Sequence, residues 1–145
     1  MAVRVRVEGL SEAAAGLREL PAATQRGVVR RALLQAAEPM VEDMERRAPR
    51  LTGQTAESVR AAGSYRESRR SRKQSETEIY VGPGRDPSAI QLEFGNRHQA
   101  PQPFVRPAFD ATKDEVLDGI ADALAEQIDR AAARAARRAA RLARG

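Results

Sequence analysis

Few side chains in this sequence could do chemistry, and their spacing assigns them modest roles. Histidine occurs once, at His98, and cysteine does not occur. Disulfides and thiolate metal sites are therefore excluded. No serine or carboxylate has a sequence context that would activate it, so His98 reads as a loop residue beside a turn. Val81-Gly82-Pro83-Gly84-Arg85 superficially resembles a phosphate loop but lacks the Gly-Lys-Ser/Thr ending whose lysine and hydroxyl would reach phosphate and magnesium, and it reads as a turn. Asp114, Asp118 and Asp122 stand four apart, a spacing that could offer oxygens to a divalent cation. No second ligand set accompanies them, so they read as a solvated helix face. Neither a catalytic set, nor a metal site, nor a cofactor site emerges.

Charge is the more informative chemistry. The formal net charge is +5, unevenly placed: the segment 66–73 holds Arg66, Arg69, Arg70, Arg72 and Lys73 against Glu67 alone. Residues 130–145 hold Arg130, Arg134, Arg137, Arg138, Arg141 and Arg144 with no acid. An acidic body thus bears two basic appendages. On a helix the six arginines fall within an arc of about 120°. A solvated helix mixes signs along its length, so this arc points to a polyanion, either a phosphate backbone or an acidic protein surface. The alanine spacers offer nothing to base edges, which argues against base-specific reading. The segment 66–74 reads as a mobile hairpin loop.

A third feature is the stretch from Glu93 to Asp110, which holds Pro101, Pro103 and Pro107 and every phenylalanine of the chain, Phe94, Phe104 and Phe109. Proline holds the residue before it in an extended conformation, so this segment can act as a rigid arm. Phe104 and Phe109 either anchor it on a neighbouring subunit or fill the chain's own core.

The elements that must position these features can be read in order. Val3, Val5 and Val7 alternate with Arg4 and Arg6, predicting a half-buried strand. Ser11 is a plausible N-cap for a helix over 12–20. Pro21 suits the first turn of a long helix to Ala48, whose apolar face is Val29, Leu33, Ala36, Met40 and Met44, kinked at Pro39 and ended by Pro49. Gly53 sits in a turn and is free to take a positive φ. Weak strands are predicted over 58–65 and 77–81, with Ile79 and Val81 on one side. Residues 90–94 form a third strand or one helical turn; the alternation of Ile90, Leu92 and Phe94 favours the strand. Asp110 or Thr112 then caps a terminal helix that runs towards Arg144 and would be about 50 Å long. Its narrow apolar stripe is Leu117, Ile120, Leu124, Ile128 and eventually Leu142, and past Ile128 it needs a partner or stays a solvated arm.

The predicted fold is α+β: a small, mostly antiparallel sheet of three to four strands on one long kinked helix, plus a long C-terminal helix. One domain is expected over 1–128, followed by an Ala/Arg-rich helical extension over 129–145. No apolar run approaches the roughly 20 residues needed to span a bilayer, and the alternating N-terminus is not an apolar signal core, so a soluble intracellular product is expected.

Several of these pieces recur together in a known family. Val7-Glu8-Gly9-Leu10, Ala36-Ala37-Glu38-Pro39, Arg47-Ala48-Pro49-Arg50-Leu51-Thr52-Gly53, Ser58-Val59, Val81-Gly82-Pro83, Glu93-Phe94-Gly95 and Pro103-Phe104-Val105-Arg106-Pro107-Ala108-Phe109-Asp110 follow one another in order. The chain so far resembles the neck or tail-completion proteins of tailed bacteriophages, minor tail components to which lambda's tail completion protein Z is related. The resemblance spans about residues 3 to 125. It departs from the family pattern at Asn96-Arg97-His98 and does not include the arginine tail.

The resemblance implies a non-enzymatic ring subunit, a homo-oligomer and specifically a hexamer, in the neck of the virion. It would be assembled in the host cytoplasm, with no membrane involved. Its partners would be head-closure or connector proteins on one side and a tail terminator or tail tube protein on the other, around a channel crossed by DNA. Phe94, Pro103, Phe104, Arg106, Pro107 and Phe109 are the expected interface residues, and the arginines 130 to 144 the polyanion-facing ones. The alternatives are a tail terminator ring protein, or a free nucleic-acid-binding protein that works through its basic tail.

Overall fold

The computed structural model describes residues 9–50, 53–62, 77–84 and 86–145. The elements are α1 (Leu10–Arg18), α2 (Ala22–Ala36), α3 (Glu38–Arg47), α4 (Gln54–Ser58), β1 (Val59–Ala62), β2 (Tyr80–Pro83), α5 (Pro87–Phe94) and α6 (Val105–Arg144). The described fold is helix-rich, with a two-stranded antiparallel sheet and a long C-terminal helix. The strand expected at Val3–Val7 and the basic loop 66–74 lie outside the described residues.

The chain forms two compact units. The described part of Met1–Ala36 joins Leu117–Gly145 in one, and Ala37–Val116 forms the other. In the first, α1 starts at Gly9, whose φ is 76°. Gly9 caps it in place of Ser11, whose hydroxyl donates to Glu12 Oε2 at 3.1 Å from within the helix. The α2 helix opens on Pro21, whose carbonyl accepts from the N–H groups of Thr24 and Gln25. Its buried row is Val28, Ala32 and Ala36, one residue round from the predicted Val29 and Leu33. With Ala13, Ala123, Leu124 and Ala131 this row forms a core made largely of alanine, and Leu17, Leu20, Val29, Ile120 and Ile128 pack at its margin. Small side chains let helices approach closely, but each buries little area.

The second unit begins where one long kinked helix was predicted. Instead α2 ends at Ala36 and a separate α3 starts at Glu38, with Pro39 in its first turn, where a missing N–H costs nothing. Met40 and Met44 are buried as expected, but in a different core from Val28 and Ala32. Theirs contains Ala48, Ala56, Val59, Ala89, Leu92, Phe104 and Ala108. Ala48, held extended before Pro49, ends α3. Asp43 is also buried and accepts from Arg46 and, at 2.7 Å, from Arg47 Nε.

Gly53 takes the positive φ, 77°, that the turn before α4 requires. In the hairpin Val59 pairs with Pro83, Arg60 with Gly82, Ala61 with Val81 and Ala62 with Tyr80. The second strand therefore starts three residues later than predicted and runs through the Gly-Pro expected to close it.

Two further expectations are corrected. Residues 90–94 belong to helix α5, because Asp86 accepts from the Ser88 N–H at 2.9 Å and Pro87 presets the first turn. Ile90 and Phe94, one turn apart, face solvent while Leu92 is buried. The terminal helix begins at Val105, ahead of both Asp110 and Thr112. Thr112 is an interior residue whose hydroxyl donates to the Ala108 carbonyl at 2.7 Å.

Candidate functional site

The Glu93–Asp110 stretch is organised by Glu93, which sequence reasoning left without a role. A helix starts with backbone N–H groups that no earlier turn can satisfy. At the start of α6 the N–H groups of Phe104 and Val105 donate to Glu93 Oε2 at 2.8 and 3.0 Å, and that of Arg106 to Oε1 at 2.9 Å. A carboxylate from the last turn of α5 thus caps a helix eleven to thirteen residues further on. The signal was present: Pro103-Phe104-Val105-Arg106-Pro107 holds no Ser, Thr, Asp or Asn to cap a helix, and Glu93 is the one acid in the stretch before it.

The turn between the two helices is equally defined. Gly95 has φ 72°, and a Cβ there would lie 2.8 Å from the Pro101 nitrogen, so both its conformation and its surroundings demand glycine. The Asn96 N–H donates to the Gln99 carbonyl at 2.9 Å, and the Gln99 N–H to that of Asn96 at 3.3 Å. Asn96 Oδ1 accepts from the His98 N–H at 2.8 Å, and the Gln102 N–H reaches back to the Leu92 carbonyl at 2.7 Å. At the other end of α5, Asp86 Oδ2 accepts from the Thr55 hydroxyl at 2.5 Å. That bond, assisted by those from Ser88 and opposed by partial burial, lowers the Asp86 carboxyl below the usual aspartate range.

On this mount the sequence-singled residues divide. Phe104 is wholly buried in its own core, so it fixes the arm and does not present a surface. Phe94 and Phe109 remain 77 % and 47 % exposed, and Ile90 68 %. Pro103 is exposed and Pro107 partly so. Arg106 projects outward, its Nε 3.4 Å from Asp110. Phe94 to Pro101 line an open depression of ≈ 460 Å³. His98 lies in it, exposed, its Nε2 accepting from Arg97 Nε at 3.1 Å. These residues offer a firm apolar contact surface with a polar rim, and the described residues hold no cluster of three potential metal ligands.

The arginine helix belongs to the other unit. Gln35 donates to Glu126 at 2.7 Å, and Gln127 donates to Gln35 at 2.9 Å, which sets how α2 meets α6 within that unit. The last buried residue of α6 is Ala131, and every residue from Ala132 onward is exposed, Leu142 included at 74 %. Leu142 therefore does not join the apolar stripe in a core of this chain. Arg130 pairs with Glu126, and Arg137 Nε donates to the Ala133 carbonyl at 3.4 Å. The heads of Arg134, Arg138, Arg141 and Arg144 are exposed. The basic residues Arg66, Arg69, Arg70, Arg72 and Lys73 lie outside the described residues. No helix among the described residues is long and apolar enough to cross a membrane.

No family model matches the chain, and neither a curated protein nor a solved structure matches it significantly.

Proposed function

We propose that this chain is a structural, non-enzymatic subunit of the neck of a tailed phage or phage-like particle, a ring protein that joins the head connector to the tail and completes the tail around the DNA channel. The observation that carries this reading is the Glu93 clamp. Three N–H groups from the start of α6 on one carboxylate make the proline arm a rigid mount, and Phe94, Ile90 and Phe109 stand out from the same unit as exposed apolar side chains on a backbone with little left to order on docking. In this reading they meet a neighbouring subunit or ring. The order of motifs from Val7 to Asp110 supplies the family.

Sedimentation of the purified chain over a range of concentrations tests the ring. Closed oligomers, hexameric by the resemblance, are expected at high concentration, and a monomer at every concentration would overturn it. A second reading is favoured by the six exposed-stretch arginines without an acid: a free nucleic-acid-binding protein working through residues 130–144. Steep loss of duplex DNA binding by the monomer as salt rises would support that reading instead.

A further inference from the structure

The arginine half of α6 has a complement on the same helix. Asp118 and Asp122 are exposed on its first half, without an ion pair among the described residues, and Arg134 and Arg138 are exposed on its second. Both pairs step by four, and each arginine follows its acid by sixteen residues. At 100° per residue this offset turns the arginine row about 160° from the acidic row, so the two face nearly opposite ways round the helix.

That arrangement discriminates between modes of self-association. A two-fold dimer needs both complementary patches on one surface, whereas a head-to-tail contact needs them on different surfaces and closes into a ring if the rotation allows. From Ala132 onward every residue of α6 is exposed, as expected of an arm that reaches a neighbour. A parallel neighbour displaced along the helix by sixteen residues, about 24 Å, would set Arg134 beside Asp118 and Arg138 beside Asp122. Free duplex DNA would engage the arginines alone and give the acidic row no part in the contact.

We infer that the arginine face of the α6 C-terminal half docks on the acidic face of the α6 first half of a second copy of the chain, head to tail. The inference rests on the ring reading for its partner and names the contact that reading lacks.

The test uses two charge-reversed full-length chains, Arg134→Glu/Arg138→Glu and Asp118→Lys/Asp122→Lys, with circular dichroism as the check on folding. In sedimentation at low salt each variant alone is expected to lose the self-association of the unaltered chain, and an equimolar mixture of the two to regain it, because the reversed faces again complement one another. Raising the salt should dissociate the unaltered oligomer and the mixture alike. If either variant assembles as the unaltered chain does, or the mixture stays monomeric, the inference is overturned while the ring reading stands. If the unaltered chain itself never assembles, both fall. Loss of duplex DNA binding in the arginine variant with self-association intact would likewise overturn it, and assign the stripe to nucleic acid.

Discussion

From Gly95 to Phe104 the chain follows no regular repeat, yet bonds to Glu93, Leu92, Gln91 and between Asn96 and Gln99 hold it along its length. From Ala132 to Arg144 it is a regular helix, yet every residue is exposed. The first region is held by tertiary contacts and would lose its shape if they were cut. The second is held by helix propagation from a packed first half, with alanine and arginine, both good helix formers, carrying it outward. Rigidity in an irregular segment indicates a surface whose shape matters, whereas regularity without packing indicates one whose charge matters.

The largest effect that would break this contrast lies under the arm. Phe104→Ala removes the largest wholly buried side chain among the described residues and should cost about 4 kcal/mol, read as a lowered denaturant midpoint. A near-neutral result would mean that Phe104 is not packed in its own core. Glu93→Ala should come next, at about 2–3 kcal/mol, since it leaves three N–H groups at the start of α6 without their carboxylate. Glu93→Gln, which keeps the shape and loses the charge, should fall between the unaltered chain and Glu93→Ala.

Asp86→Asn should cost about 1 kcal/mol through the weakened cap on α5. Because the folded carboxyl is lowered, chiefly by Thr55, its contribution is fully present at neutral pH and is lost as the pH falls through the folded value, below the usual aspartate range. Acid titrations of stability for the parent and Asp86→Asn should therefore converge at low pH; curves that stay parallel would contradict the assignment. Smallest of all, truncation after Asp129 should lower the unfolding free energy of the remaining fold by only about 0.5–1 kcal/mol, because Ala131 is the only buried side chain removed. The same truncation is expected to abolish particle joining, and normal particles from the shortened gene would contradict that. Amide exchange sharpens the contrast without mutation, since residues 132–144 should exchange faster than residues 117–131 of the same helix.

What the residues disclosed depended on how local the cause was. Extended Ala48 before Pro49, the positive φ at Gly53 and the exposed arginine face follow from near neighbours and were legible. The break between α2 and α3 was not, because Val28, Ala32 and Ala36 continue in phase into Met40 and Met44 while serving separate cores, and periodicity cannot report which core a face joins. Alternation at Ile90, Leu92 and Phe94 pointed to a strand where Asp86-Pro87 starts a helix; the cap was the better signal. Glu93 went unassigned because its partners are more than ten residues away, a distance at which spacing rules are silent.

The proposed place of this chain is in a ring at the head-tail junction. Electron cryomicroscopy of the assembled particle tests it most directly. The expected result is density for the chain as a closed ring between connector and tail, with Phe94 and Phe109 against a neighbour. Particles whose neck lacks the chain, or in which it lies elsewhere, would contradict it.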